Sequence, residues 1–124
     1  MTNKRVLVSV VDDSESVRES LPDLLRHSGF DADAFSSAEA FLESDAISTT
    51  SCLILDVGLP GMSGPDLHQE LLSRGQAIPT IFITAQGDPS LRPRLVARGA
   101  VACLFKPFSD SALLDALKAA VQKE

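Results

Sequence analysis

Five short apolar segments recur along the chain, and segments with helical spacing separate them. The apolar segments are rich in Val, Ile, Leu and Phe and mostly lack polar alternation; they cover residues 6–11, 32–35, 52–55, 80–84 and 101–105. Such runs are typical of strands buried on both faces of a parallel sheet. The pattern predicts a βα unit repeated five times. With right-handed crossovers, this gives an α/β fold, a three-layer αβα sandwich around a five-stranded parallel sheet of order 2-1-3-4-5.

Residues at the predicted helix boundaries agree with this reading. Helix starts are marked by Ser36 with Glu39 at capping-box spacing, and by Ser63, Asp88 and Ser109. Helix ends are marked by glycines, which accept a left-handed cap conformation, at Gly29, Gly75 and Gly99. Pro22 and Pro93 fall inside predicted helices, where proline kinks a helix or delays its start, so we expect the fourth helix to begin late.

Length and composition restrict the class of protein. A chain of 124 residues with 44% apolar and 23% charged residues fits one globular domain, which we assign to residues 1–124. A net charge of -6 disfavours direct binding to nucleic acid, which requires Lys and Arg to meet phosphates. The chain has no apolar run of about 20 residues and no visible signal peptide, so we expect no membrane span and a cytoplasmic location.

The two cysteines, Cys52 and Cys103, lie in apolar strand-like segments without metal-binding spacing. In the predicted sheet, strand four separates their strands, which places them about 9 to 10 Å apart. That distance is beyond the reach of a disulfide, so we expect two free thiols.

Chemically active residues fall at the ends of four predicted strands. Asp12 and Asp13 follow strand one, Asp56 ends strand three, Thr84 ends strand four and Lys106 follows strand five. Open α/β sheets bind ligands beyond the carboxyl ends of their strands. Clustered carboxylates repel one another, and Mg²⁺ relieves this repulsion because it prefers oxygen ligands, usually one or two carboxylates plus phosphate oxygens. The set therefore indicates a site for Mg²⁺ and phosphate, in which a carboxylate can attack phosphorus.

Each of these residues also has a simpler explanation when taken alone. Asp12 or Asp13 could cap the first helix, and Asp56 could flank a turn. Thr84 could reflect strand propensity, and Lys106 could be a solvated charge. These explanations do not account for the four strand ends acting together at one edge of the sheet.

The chain resembles the receiver domains of bacterial two-component response regulators, most of all their FixJ-like branch, over nearly its whole length. The resemblance is carried by VVDDSESVRESL (10–21), FSSAEAFL (35–42), LILDVGLPGMSGPDL (53–67), IPTIFITAQGD (78–88) and GAVACLFKPF (99–108). It implies a flavodoxin-like fold of the receiver type and a signalling switch that accepts phosphate on Asp56 and removes it again, rather than a conventional enzyme.

The resemblance also assigns roles to individual residues and implies partners. It implies that Asp12, Asp13, Asp56 and the backbone carbonyl of Gly58 hold Mg²⁺, that Thr84 and Lys106 contact the phosphoryl group, and that the Lys106–Pro107 bond is cis. The implied partners are a sensor histidine kinase or phosphotransfer protein, and a downstream protein or an output domain outside this chain. A homodimer through the fourth and fifth helices is left open.

One position departs from the family pattern. Similar domains usually carry Tyr or Phe three residues before this lysine, as an aromatic switch, and here the residue is Cys103. Phe105 points to the same face of its strand. The departure keeps open a second function, a pseudo-receiver that binds partners without phosphotransfer. A third, a flavin-binding electron carrier, is disfavoured because the acidic segment VDDSES would repel a cofactor phosphate.

Overall fold

The computed structural model describes residues 5–85 and 88–122, which form one parallel sheet covered by helices. The strands are β1 (Leu7–Val11), β2 (Asp31–Phe35), β3 (Cys52–Asp56), β4 (Thr80–Thr84) and β5 (Ala102–Phe105). The helices are α1 (Glu15–His27), α2 (Ala38–Leu42), α3 (Gly64–Ser73), α4 (Leu91–Ala97) and α5 (Asp110–Gln122), with a 3-10 turn at Asp45–Ser48. The predicted α/β class and βα alternation are confirmed.

The strand order is β2-β1-β3-β4-β5, and every adjacent pair is parallel, as the sequence predicts. Two apolar clusters cover the two faces of the sheet. One contains residues of α1 and α5, including Leu25 and Leu117, and the other contains residues of α2, α3 and α4, including Phe41 and Leu67. The predicted three-layer sandwich is therefore confirmed. The strand order reverses between β1 and β3, which is where the fold class binds its ligands.

The predicted helix ends agree with the structure better than the predicted starts. Gly29, Gly75 and Gly99 all have positive φ. Ser63 and Ser109 act as predicted, since their hydroxyls accept hydrogen bonds from Asp66 N and Ala112 N.

Two predicted helix starts are wrong. The N-cap of α2 is Ser37, not Ser36, and its hydroxyl accepts from Ala40 N at 3.0 Å. Asp88 does not begin α4, because its carboxylate accepts from the amide and hydroxyl of Ser90 and the helix starts at Leu91. The expectation that the fourth helix begins late is confirmed.

The two prolines are accommodated differently. Pro93 falls in the first turn of α4, where a missing N–H costs little. Pro22 does not delay the start of α1, which runs without interruption from Glu15 to His27.

Cys52 and Cys103 are free thiols, as predicted, and both are buried. They lie in the two different apolar clusters, on opposite faces of the sheet. Burial raises the pKa of Cys52 to about 12, so its thiol is unreactive at neutral pH.

His68 is expected to make the stability of the fold depend on pH. Its ring is 5% exposed in α3 and packs edge-on against Phe82. Burial, and then the charge of Arg98, lower the pKa of His68 from its usual value of 6.5. The folded state therefore favours the neutral ring more strongly than the unfolded chain does, and the unfolded chain binds a proton below about pH 6.5. The free energy of unfolding should therefore decrease as pH falls through this range, by at most about 1.4 kcal/mol per pH unit.

The measurement is urea unfolding of the wild type and His68→Gln between pH 8 and pH 5, with His27→Gln as an exposed control. The difference between wild type and His68→Gln should be constant above about pH 7 and should shrink in acid. Parallel curves for these two proteins across the whole range would show that the His68 pKa is not lowered.

Candidate phosphoacceptor site

Three carboxylates meet at the carboxyl edge of the sheet, as the sequence predicts. Asp12 and Asp13 directly follow β1, and Asp56 is the last residue of β3. Among the described residues, one carboxylate oxygen from each of these three side chains lies within 4.8 Å of the others. Asp12 is fully buried and Asp56 is 7% exposed, whereas Asp13 is open to solvent.

Backbone and side-chain contacts fix Asp12. Its amide donates to Phe35 O, the last residue of β2, at 3.1 Å, and its Oδ1 accepts from Ser14 N at 2.8 Å. Ser14 is the N-cap of α1, so neither Asp12 nor Asp13 is that cap. Arg18 Nη1, one turn into α1, donates to the Asp12 carbonyl at 3.1 Å.

Lys106 brings a positive charge to the same edge. Its Nζ lies 3.0 Å from Asp12 Oδ2, with the lysine side chain 25% exposed and the aspartate side chain buried. The Lys106 amide donates to Thr84 O at 2.8 Å, which joins the ends of β4 and β5. The Lys106–Pro107 bond is cis, as expected.

The surroundings of Asp56 raise the pKa of its carboxyl group above the usual value. Burial is the largest cause that raises its pKa, followed by the charge of Asp12. Lys106 and a hydrogen bond from Gly58 N to Asp56 Oδ1, at 3.3 Å, act in the opposite direction. A buried carboxylate with acidic neighbours gains from a hard divalent cation, so the donor set fits Mg²⁺.

Four of the five predicted strand-end side chains, those of Asp12, Asp13, Asp56 and Lys106, thus come together. Thr84, which is 3% exposed, is the last residue of β4. Two features of this edge, the Arg18 contact and the direct Asp12–Lys106 pair, were not predicted from the sequence. Arg18 could have been noticed because it lies one turn into the helix that Asp13 precedes. The Asp12–Lys106 pair joins residues 94 positions apart, and no local sequence signal reveals it.

Cys103, at the position where similar domains carry an aromatic residue, is buried in the apolar core. Cys103 is 1% exposed, and Phe105 packs against the same apolar cluster, as expected from their shared strand face. Arg92 from α4 links the two residues. Its Nε donates to Cys103 O at 2.9 Å, and its guanidinium lies 5.0 Å from the centre of the Phe105 ring.

Comparisons with known proteins agree with the fold. The family model described as response regulator receiver domain matches residues 8–118. Nodulation protein W of Bradyrhizobium diazoefficiens is 46% identical over 120 residues, which are 97% of this chain and 53% of that protein. Transcriptional regulatory protein FixJ of Azorhizobium caulinodans is 40% identical over 92% of this chain and 54% of its own length.

Solved structures give the same result. The response regulator StyR superposes with a TM-score of 0.88 at 44% identity and covers 96% of this chain and 60% of its own. The structure titled FixJ-N has a TM-score of 0.85 at 34% identity and covers 98% of both chains.

The chain belongs to the family of response regulator receiver domains, and within that family it is similar to FixJ. It spans about half the length of the curated relatives that it matches. Domains of this family bind Mg²⁺ at an acidic pocket and interact with histidine kinases and output domains. Within the part of the chain that the structure describes, no helix is both long and apolar enough to cross a membrane.

Proposed function

We propose that residues 1–124 form one receiver domain, a phosphorylation-dependent switch in which Asp56 takes a phosphoryl group from the phosphohistidine of a sensor kinase or phosphotransfer protein. The observation that carries the proposal is the grouping of three carboxylates within 4.8 Å beside the Lys106 ammonium. The phosphorylated domain would then change its binding to a downstream protein or an output domain. A cytoplasmic location stays a prediction from the sequence.

In the proposed reaction, an Asp56 carboxylate oxygen forms a bond to phosphorus while the bond from phosphorus to the donor's imidazole nitrogen breaks. The electron pair of that bond leaves with the imidazole, which takes up a proton from solvent. Mg²⁺, held by Asp12, Asp13, Asp56 and the Gly58 carbonyl, would supply charge neutralisation.

The remaining residues would complete the pocket. The Lys106 ammonium, 3.0 Å from Asp12, is close enough to the carboxylates to pair with a phosphoryl oxygen. The Thr84 hydroxyl would donate to another oxygen. Water would then attack phosphorus, break its bond to the Asp56 oxygen and release inorganic phosphate, which returns Asp56 to its carboxylate.

A pseudo-receiver without phosphotransfer is the second candidate, and Cys103 at the usual aromatic position is the observation in its favour. In the switch, the Arg92 contacts to Cys103 and Phe105 offer a route from β5 to α4. A change that reaches α4 could also alter the formation of a homodimer through α4 and α5.

The two candidates differ in how the domain responds to a phosphoryl analogue. Beryllofluoride added with Mg²⁺ should shift the ¹⁵N–¹H amide resonances of Asp56 and Lys106, and then those of Arg92, Cys103 and Phe105. Asp56→Asn should show none of these shifts, because it lacks the carboxylate that binds beryllium. Shifts in neither protein would favour the pseudo-receiver, and shifts confined to Asp56 and Lys106 would contradict transmission through Arg92.

A further inference from the structure

Glu39 contacts the loop of the candidate site from a different element of the fold. This residue, exposed at the start of α2, does not complete the predicted capping box with Ser36. Its Oε2 instead accepts a hydrogen bond from Met62 N at 3.0 Å, across 23 positions in the sequence. The same Glu39 oxygen also lies close to Gly61. A Cβ added at Gly61, where φ is +71°, would lie 3.0 Å from it.

Met62 belongs to the loop between β3 and α3, residues 57–63, which also contains Gly58. The inner parts of this loop are held by its own neighbours: Leu59 is 5% exposed, and Gly64 N donates to Val57 O. Its outer part, Pro60 and Gly61, is exposed. The Glu39 carboxylate therefore contacts this outer part of the loop from a different element, helix α2.

Helix α2 is itself anchored to the strand region that carries Asp12. Phe41 is fully buried, and its ring packs edge-on against Phe35 with centroids 5.3 Å apart. Phe35 ends β2, and its carbonyl accepts from Asp12 N. Through these contacts, Glu39 connects the Asp12 side of the site to the loop on the Gly58 side.

We propose that Glu39 is a positioning residue that sets the loop carrying Gly58 against the three carboxylates and so raises the affinity of the site for Mg²⁺. This inference rests on the proposed function, since it assumes that Mg²⁺ binds at this edge. Glu39 touches neither the metal nor the phosphoryl group. It acts through Met62 N, in the way that groups behind a metal's direct ligands hold those ligands in place.

The test is an NMR titration with MgCl₂ alone, which follows the Gly58 amide in four proteins. Glu39→Ala should weaken Mg²⁺ binding about tenfold, the low end of what loss of a ligand-positioning contact costs. Glu39→Gln keeps an acceptor oxygen for Met62 N and should stay within about twofold of wild type. Glu43→Ala removes an exposed carboxylate from the end of the same helix and should have no effect.

Phosphorylation by acetyl phosphate supplies the second reading. Glu39→Ala should need more Mg²⁺ for its half-maximal rate and should reach the wild-type rate at saturating Mg²⁺. Equal Mg²⁺ affinity in wild type and Glu39→Ala would overturn the inference, as would an equal loss in Glu39→Gln, which would assign the effect to charge. A wild-type protein that binds no Mg²⁺ would instead overturn the proposed function.

Discussion

Replacing Lys106 by methionine is expected to slow phosphorylation of Asp56 by acetyl phosphate about 100-fold, because one preorganised cation that meets transition-state charge contributes this much. Mg²⁺ affinity should respond in the opposite direction. With the ammonium 3.0 Å from Asp12 removed, the three carboxylates are more negative, so Mg²⁺ should bind as tightly as in wild type or more tightly. A slower phosphorylation with undiminished Mg²⁺ affinity is the result expected for a lysine that contacts the phosphoryl group.

The measurement pairs the initial rate of phosphorylation, followed by intact mass, with a Mg²⁺ titration. Lys118→Met is the matched control, because it removes an exposed ammonium from α5 with the same change in net charge. A Lys106→Met rate within about threefold of the control would contradict a direct role for Lys106.

Gly64→Ala is expected to lower the free energy of unfolding by about 3 kcal/mol, since overpacking at this position cannot be relieved by rotating a side chain. Gly64 begins α3, and a Cβ there would lie 2.2 Å from the Asp56 carbonyl oxygen and 3.0 Å from Val57 Cα. The start of α3 would have to move away from the end of β3. Because that end carries Asp56, phosphorylation should also slow.

Gly58→Ala is the matched control for this steric argument. A Cβ at Gly58 meets nothing within 4 Å, and Gly58 does not have positive φ. The free energy of unfolding of Gly58→Ala should therefore differ from that of the wild type by about 1 kcal/mol or less. Urea unfolding followed by far-UV circular dichroism suits a chain without Trp or Tyr. Equal stabilities for the two variants would show that α3 and β3 do not approach as closely as described.

The fold could be predicted from the sequence because its signals are local and repeated. Every strand except β2 is a largely apolar run, and positive-φ glycines at 29, 75 and 99 mark the helix ends. The starts of α2 and α4 were placed wrongly because several residues with cap chemistry stand side by side there, as at Ser36 and Ser37. Which of them caps depends on backbone angles that the sequence does not show.

The grouping of the strand-end residues could be predicted, but not the contacts between them. Asp12, Asp56 and Lys106 stand at strand ends, so parallel pairing alone brings them together. The direct Asp12–Lys106 pair and the Glu39 contact with Met62 depend on side-chain reach between distant segments. The sequence showed Glu39 only as part of a capping box, since a local motif is the nearest explanation for a glutamate at that spacing.

The central claim is that Asp56 is a working phosphoacceptor, and intact-mass spectrometry after incubation with Mg²⁺ and acetyl phosphate tests it most directly. The wild type should gain the mass of a single phosphoryl group, and the adduct should disappear on standing, because an acyl phosphate hydrolyses. Asp56→Asn and a wild-type sample with EDTA should gain none. An unmodified wild type, or an adduct that persists in Asp56→Asn, would contradict the account.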